Sequence, residues 1–314
     1  MRKGQNPAKS VKEVAKPERI TVALLNYIPF LSGFYAETLD VLKVTMDSMR
    51  KDAGLPFDLM VFDNGSCEEV RDFLVNEKEA GRIQYLILSE KNVGKGGAWN
   101  VMLAGAPGEI IAYTDADVLF YPDWLKKSVE LLETYPNVGM VTARPFRTPE
   151  RFLQKSIAWA KEHADLQQGD ILPYEWFYEF STTLGFSDDE LKKIYSETTD
   201  FYVTYKNIPA YLGASHWQFT TYKSVIQKFL PFDMDKPMGQ VRQLDERMDV
   251  AGYLRLMPAQ RYAQNMSNTL PAELQRDSKS STKASSSSKG LWELPFIKKP
   301  LLALYNAIFR VYYK

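Results

Sequence analysis

The chain has 314 residues, of which 45% are hydrophobic and 25% are charged, with 17 glycines and 17 prolines. This composition favours one large globular domain with appendages and excludes collagen-like, mucin-like and wholly disordered proteins. The single cysteine and two histidines exclude a disulfide framework and a His/Cys zinc site. Any bound metal must therefore have oxygen ligands, which favours Mg²⁺ or Mn²⁺.

The net charge of zero is unevenly distributed along the chain. Residues 1–19 carry +4 and residues 276–314 carry +6, so the body between them carries −10. A nucleic-acid-binding protein usually has its basic surface on the folded domain, so no nucleic-acid partner is expected. Residues 1–16 lack the apolar core of a secretory signal, and the uncharged residues 20–36 are interrupted by Asn, Pro and Gly. The expected location is the cytoplasm, with a peripheral place at the inner face of the membrane left open.

The predicted elements alternate between strands and helices. Residues 1–18 form a basic tail that is too polar to fold, and the domain spans residues 19–263. Strands are predicted over residues 20–25, 59–62, 83–88, 110–114 and 138–143, with helices between them, as over residues 67–80. This order indicates an α/β fold in which helices cover both faces of a mostly parallel sheet. Ligands of such sheets bind beyond the carboxyl ends of the strands.

Three later segments depart from this rhythm. Residues 150–205 are rich in aromatic side chains and read as a helical insertion without strands. Residues 264–290 have the Ser/Lys-rich composition of a flexible linker. Residues 291–314 predict an amphipathic helix whose 15-residue core rises only ~22 Å, too short to span a bilayer. This helix can bind an anionic membrane surface or pack on the domain, and the sequence leaves both open.

Two carboxylates, Asp115 and Asp117, directly follow the strand at residues 110–114. Strand alternation places them on the same side of the sheet, where their negative charges repel each other. A divalent cation between them removes that conflict, although a solvated loop with two acids is the simpler alternative. The favoured interpretation is a metal site.

Other polar clusters lie at strand ends or helix starts. Asp63 begins an Asp-Asn-Gly-Ser turn and can bind ribose or only shape the turn. Gly94 and Lys95 belong to a Gly-rich loop over residues 92–100 that can approach an anion or only pack closely. Asp245 stands near a helix start, where it can serve as a general base or as a helix cap.

Taken in order, these clusters resemble the family-2 glycosyltransferases with a GT-A fold, from residue 20 to about residue 257. The matching residues of three motifs are Asp63, Asn64, Gly65 and Ser66, then Asn92, Gly94, Ala98 and Asn100, then Asp115 and Asp117. Trp99 stands where the family usually has Arg, and residues 26–29 replace the family's motif after the first strand.

The resemblance implies an inverting transfer of a sugar from a nucleoside-diphosphate sugar, UDP-sugars being favoured, to a hydroxyl of a glycan or lipid-linked acceptor. It implies that Asp117, with Asp115, binds Mg²⁺ or Mn²⁺ and that Asp245, or alternatively Glu246, is the base. The other implied site residues are Asn26, Asp63, Asn92, Gly94, Lys95, Asn100 and Asp115 for the donor and His216 and Trp217 for the acceptor. A non-catalytic sugar- or partner-binding member of the fold and a sugar nucleotidyltransferase are the alternatives.

Overall fold

The computed structural model of the chain describes residues 4–183, 185–235, 242–271 and 273–274. The chain divides into two compact units, Met1–Leu270 and Pro271–Lys314. The helix expected over residues 291–314 and most of the expected linker lie outside the described residues. The sheet and the helices that pack on it belong to the first unit.

The elements follow the predicted alternation closely in the first half of the chain. The strands are β1 (Ile20–Asn26), β2 (Asp58–Asp63), β3 (Tyr85–Leu88), β4 (Ile110–Asp115), β5 (Val118–Phe120), β6 (Val138–Val141), β7 (Asp165–Gly169), β8 (Asp200–Tyr205), β9 (Ile208–Leu212), β10 (Gln218–Tyr222), β11 (Leu254–Pro258) and β12 (Ala263–Asn265). The helices are α1 (Thr38–Arg50), α2 (Glu68–Glu79), α3 (Gly94–Gly105), α4 (Trp124–Thr134), α5 (Gln154–His163), α6 (Tyr174–Thr183), α7 (Asp188–Glu197), α8 (Lys223–Ile226) and α9 (Arg242–Val250).

One mixed sheet, in the order β3-β2-β1-β4-β10-β6-β11-β9-β8-β7, organises the described part of the chain. The strands β3, β2, β1 and β4 are parallel to one another, as the strand–helix alternation predicts. Beyond β4 the pairings are antiparallel, apart from that of β6 with β11. The predicted α/β fold class is confirmed, and the parallel half carries the three strand-end motifs.

Helices cover both faces of the sheet because successive residues of a strand point to opposite sides. Along β4, Ile110 and Ala112 join the apolar cluster that includes residues of α1, α4 and α5. Ile111 and Tyr113 join a second cluster with residues of α3 and α9. The rigid core thus holds the carboxyl ends of the central strands in fixed positions.

Residues 150–205 contain strands as well as helices, which corrects the expectation of a purely helical insertion. The strand β7 has the polar sequence Asp-Leu-Gln-Gln-Gly, and its extended form comes from pairing with β8 at the sheet edge rather than from apolar alternation. The insertion has its own small core, in which Phe177 and Leu191 pack with Tyr211 of β9 and Met257 of β11.

The folded unit extends past residue 263, where the linker was expected to begin. The strand β12 pairs with β5. The Met266 N–H donates to the Asp117 carbonyl at 2.7 Å, and the Asn268 amide donates to the Phe34 carbonyl at 2.9 Å. Residues 4–19 are exposed, with one short turn of 3₁₀ helix at Pro7–Ser10. Among the described residues, no helix is long and apolar enough to cross a membrane.

Candidate active site

Three strand ends meet at one edge of the sheet. Asn26 ends β1, Asp63 ends β2 and Asp115 ends β4. Asn26 is the register partner of Asp63, and Leu25 is the register partner of Asp115. The structure therefore brings the predicted motif residues together at the edge where open α/β sheets bind their ligands.

Asp63 is fully buried and holds the turn that follows β2. One carboxylate oxygen accepts a hydrogen bond from the Asn26 amide at 2.9 Å, and the other accepts the Ser66 backbone N–H at 3.0 Å. The Asn26 amide also donates to the Ser66 hydroxyl at 3.0 Å. A direct contact between Asp63 and a nucleotide would require this turn to open, because the side chain has no exposed surface.

The loop after β3 packs directly on the Asp63 turn. Asn92 accepts the Gly94 backbone N–H at 2.7 Å and the Asn64 amide at 3.0 Å. A Cβ atom on Gly65, whose φ is +86°, would lie 2.9 Å from the carbonyl carbon of Lys91, so the turn requires glycine there. The Gly94 N–H donates inside the loop, and its contact with an anion stays a prediction.

The side chain of Asn100 makes its hydrogen bonds to the backbone of Phe232. Its amide donates to the Phe232 carbonyl at 2.8 Å, and its side-chain oxygen accepts the Phe232 N–H at 2.6 Å. The neighbouring Trp99 is fully buried, and its ring centroid lies 4.9 Å from that of Tyr113 and 5.2 Å from that of Phe232. The donor role of Asn100 stays a prediction, and Trp99 contributes packing where the family usually has a charge.

Lys95 forms an ion pair with Asp115. Its Nζ atom lies 2.7 Å from Oδ1 and 2.8 Å from Oδ2 of Asp115, and the Tyr113 hydroxyl donates to the same carboxylate. Burial, together with the Asp115 charge, raises the pKa of Tyr113, so its hydroxyl stays protonated and remains a donor. Asp115 thus has an internal countercharge, and Lys95 is positioned by Asp115 rather than directed at an outside anion.

Asp117 lies in the turn between β4 and β5, because β4 already ends at Asp115. Its Oδ1 atom is buried and has no hydrogen-bond partner among the described residues. Burial and the nearby Asp115 charge raise the pKa of Asp117 to about 7, against smaller opposing effects of Lys95 and Asn265. A buried carboxylate oxygen without a partner fits a hard divalent cation.

The described residues contain no group of three or more His, Cys, Asp and Glu side chains that could hold a metal ion. Magnesium in nucleotide sites commonly uses one or two carboxylates together with substrate phosphates and water. The geometry at Asp117 and Asp115 therefore fits a cation that arrives with a phosphorylated ligand better than a metal bound by protein ligands alone.

The segment before β10 brings His216 and Trp217 beside Asp115. The Asp115 backbone N–H donates to the Trp217 carbonyl at 2.9 Å. The Trp217 ring is buried, with 8% of the residue exposed, and its centroid lies 5.7 Å from that of Phe180. Little of the ring is accessible, and its stacking on an acceptor sugar stays a prediction. His216 is half-buried, with Nδ1 3.0 Å from Oδ2 of Asp245.

Asp245 is a buried residue of α9 with a buried countercharge. Its Oδ1 atom lies 3.0 Å from Nη2 of Arg255. Arg255 also donates to the Phe152 carbonyl at 3.0 Å and to the Ala214 carbonyl. Burial lowers the pKa of Arg255, and the Asp245 charge opposes that effect. Glu246, the alternative base, lies exposed on the surface of the same helix.

Arg255 and Tyr113 are site residues that the sequence analysis did not single out. Arg255 stands between the buried Leu254 and Leu256 in β11. A single arginine inside an apolar strand signals a buried anion, so its sequence context was the available clue. No comparable signal identifies Tyr113, whose hydroxyl reaches Asp115 from within the same strand.

The sheet carries acidic residues at its carboxyl edge, at the positions that the motifs predict. The model of one family, described as Glycosyl transferase family 2, matches residues 33–195, just over half of the chain. The chain belongs to glycosyl transferase family 2.

Curated relatives are also glycosyltransferases. An uncharacterized glycosyltransferase of Nostoc sp. is 32% identical over 84 residues, which are 27% of this chain and 26% of that protein. An uncharacterized glycosyltransferase of Rickettsia conorii is 31% identical over 77 residues, which are 24% of this chain and 12% of that protein. The matched part of the chain thus spans about a quarter of the first relative and about an eighth of the second.

Two solved glycosyltransferase-related structures are also among the matches. A mannosyltransferase from Pyrobaculum calidifontis, solved with GDP-Man and Mn²⁺, superposes with a TM-score of 0.49 at 16% identity, over 80% of this chain and 57% of that one. Residues 1–349 of S. aureus TarS, solved with UDP-GlcNAc, superpose with a TM-score of 0.48 at 12% identity, over 85% of this chain and 62% of that one.

Proposed function

We propose that the chain is an inverting glycosyltransferase that moves a sugar from a nucleoside-diphosphate sugar, with UDP-sugars favoured, to a hydroxyl of a glycan or lipid-linked acceptor. The observation that carries the proposal is the buried Oδ1 atom of Asp117, which has no partner among the described residues and lies near Asp115. Such an oxygen favours a cation, and a nucleoside diphosphate at the strand ends supplies the remaining cation ligands.

Asp117 would hold Mg²⁺ or Mn²⁺, with Asp115 as its acidic neighbour. A bound divalent cation offsets the negative charge that develops on the departing diphosphate. Lys95 holds the Asp115 carboxylate at 2.7–2.8 Å and offsets its charge. Asp117 is then the carboxylate whose charge is left unmatched, which supports its assignment as the main metal ligand.

The transfer also needs a group that takes the proton of the acceptor hydroxyl. In an inverting reaction the acceptor oxygen attacks the anomeric carbon from the face opposite the diphosphate. The 3.0 Å contact between Asp245 and His216 supports an acid–base pair, and the neighbouring Trp217 carbonyl accepts the Asp115 N–H. Glu246 is exposed. The Asp245–His216 pair is therefore the proposed base.

Nucleotide-sugar hydrolysis with Mn²⁺ tests the proposal. We expect the wild-type chain to release nucleoside diphosphate from UDP-glucose, UDP-GlcNAc or GDP-mannose. Asp117→Ala should be slower by about 100-fold or more, because electrostatic stabilisation of the departing charge is lost. Asp189→Ala, at an exposed site on α7, is the matched control and should keep wild-type turnover. Equal turnover in wild type and Asp117→Ala would contradict the metal role.

One observation favours a second candidate, a non-catalytic sugar- or partner-binding member of the family. The Lys95–Asp115 ion pair removes part of the negative charge that a metal site uses. A binder of this kind would show a nucleotide-dependent melting shift with UDP and Mn²⁺ and no turnover with any of the three donors.

A further inference from the structure

We infer that the imidazole of His216 is the catalytic base and that Asp245 is its positioning residue. The inference rests on the proposed function and names the atom that takes the acceptor proton, Nε2 of His216. It is carried by one juxtaposition, in which Asp245 lies between a buried Arg255 and the more exposed His216.

Each carboxylate oxygen of Asp245 lies near one nitrogen atom, although Oδ1 makes no hydrogen bond among the described residues. Oδ1 lies 3.0 Å from Nη2 of Arg255, and Oδ2 lies 3.0 Å from Nδ1 of His216. The Asp245 side chain is 12% exposed, whereas the His216 side chain is 29% exposed. A base must come within hydrogen-bond distance of the hydroxyl that it deprotonates. Of the two partners, His216 is the one with surface for an acceptor to reach.

The contact with Asp245 also determines which nitrogen of His216 can accept a proton. A carboxylate only accepts hydrogen bonds, so neutral His216 donates through Nδ1–H to Asp245. The lone pair then resides on Nε2, which has no hydrogen-bond partner among the described residues. A carboxylate that holds the tautomer and orientation of a histidine is a recurrent arrangement for general-base catalysis.

The backbone carries His216 next to the segment that pairs with the end of β4. Gln218 of β10 is the register partner of Thr114, and the Asp115 N–H donates to the Trp217 carbonyl at 2.9 Å. His216 is the next residue toward the open end of the sheet, inside the bridge that Ser215 forms with Gln218. The acceptor-side base and the acids at the end of β4 are thus joined by one antiparallel pairing.

Arg255 contacts both Asp245 and the segment that carries His216. Its guanidinium contacts the Asp245 carboxylate and donates to the Ala214 carbonyl, two residues before His216. It therefore ties α9 to the segment that carries the histidine. Because Arg255 has 1% of its side chain exposed, it serves as a fixed countercharge and does not reach a substrate.

The proton and electron movements balance as follows. The acceptor oxygen bonds to the anomeric carbon while its proton passes to Nε2 of His216. The bond between the anomeric carbon and the phosphate oxygen breaks, and its electron pair leaves with the nucleoside diphosphate. The imidazolium that results is stabilised by Asp245 at 3.0 Å until it returns the proton to solvent.

The test uses His216→Ala, Asp245→Asn and the double variant of the full-length chain, with water as the acceptor. His163→Ala, which alters the other histidine at an exposed position, is the matched control. The measurement is kcat for nucleoside diphosphate release from UDP-glucose, UDP-GlcNAc and GDP-mannose with Mn²⁺, with and without added imidazole. The melting shift caused by UDP and Mn²⁺ reports whether the donor site is intact.

We expect His216→Ala to lower kcat by about 100-fold or more, with an unchanged melting shift, because a positioned base contributes roughly 10² to 10⁴ in rate. Added imidazole should restore turnover of His216→Ala at least about tenfold by replacing the missing base. Asp245→Asn should also be slow, and the double variant should be no slower than His216→Ala, since Asp245 acts through the histidine. His216→Gln, which keeps the side-chain volume, replaces His216→Ala if that variant does not fold.

Three results would overturn the assignment. They are wild-type kcat in His216→Ala, a loss that imidazole does not restore, and a double variant slowed by the product of the two single effects. If the wild-type chain is inactive on all three donors, the proposed function fails and the assignment fails with it. An active wild type with a fully active His216→Ala overturns the assignment alone.

Discussion

Replacing Asp117 with Asn should stabilise the metal-free protein at alkaline pH. The pKa of Asp117 is raised from 3.8 to about 7, because its charge is buried near Asp115. An acid with a raised pKa holds its proton more tightly in the folded state than in the unfolded state, so the folded state loses stability as the pH rises from about 4 to about 7. Asn keeps the shape of the side chain and removes the charge that causes this loss.

The magnitude follows from the two pKa values. Their difference corresponds to about 4 kcal/mol at full ionisation, as an upper bound. At pH 8 without metal, Asp117→Asn should therefore melt higher than wild type by up to roughly 8 °C, at about 2 °C per kcal/mol for a domain of this size. Below pH 4 the two proteins should melt at the same temperature. Thermal unfolding followed by circular dichroism between pH 4 and pH 8 measures the difference.

Manganese with UDP should offset most of this difference in stability. A ligand at 100 times its dissociation constant adds ~2.7 kcal/mol to the folded state, and only the wild type retains the carboxylate that binds the cation. Asp189→Asn, an exposed substitution, is the control and should follow the wild-type curve. A metal-free Asp117→Asn that is less stable than wild type at pH 8, or a stability difference that does not change with pH, would refute the reasoning.

Three further predictions concern other parts of the chain. Arg255→Met should lower the free energy of unfolding by about 3–5 kcal/mol in urea titrations, because it leaves Asp245 buried without its countercharge, and a loss below about 1 kcal/mol would contradict the buried ion pair. Asn100→Ala should lower the free energy of unfolding by about 1–3 kcal/mol, because two hydrogen bonds to Phe232 are lost. Its affinity for UDP should not change. Weaker UDP binding in calorimetry would show that Asn100 belongs to the donor site. Truncation before Gly290 should abolish salt-sensitive flotation of the protein with anionic liposomes, and equal flotation of both forms would discard a membrane role of the tail.

The parallel half of the sheet could be predicted because its strands are short apolar runs, and because helices of clear period follow β1 and β2. The strand β7 could not, since its polar residues are extended only through pairing with β8. Pairing partners far apart in the sequence leave no local signal. The same limit applies to β12, which lies at the start of the expected linker and pairs with the distant strand β5.

The acidic positions of the site could also be predicted, but not their partners. Asp115 and Asp117 were identified from their place after a strand, whereas the Lys95–Asp115 ion pair depends on how α3 lies against β4. The strand alternation that was used to place both carboxylates on one side does not extend to Asp117, because the chain turns after Asp115. Whether two charged side chains 20 residues apart form an ion pair depends on the tertiary structure, and a strand pattern carries no information on it.

Titration of UDP by calorimetry at pH 8, with Mn²⁺ and with EDTA, tests the role of Asp117 most directly. The wild-type chain should bind UDP at least about tenfold more tightly with Mn²⁺ than with EDTA, a gain of about 1.4 kcal/mol, and Asp117→Asn should bind equally weakly in both buffers. Two results would contradict a cation held between Asp117 and a nucleoside diphosphate. One is a wild-type UDP affinity that is the same with Mn²⁺ and with EDTA. The other is an Asp117→Asn variant whose UDP affinity rises with Mn²⁺ as much as that of the wild type.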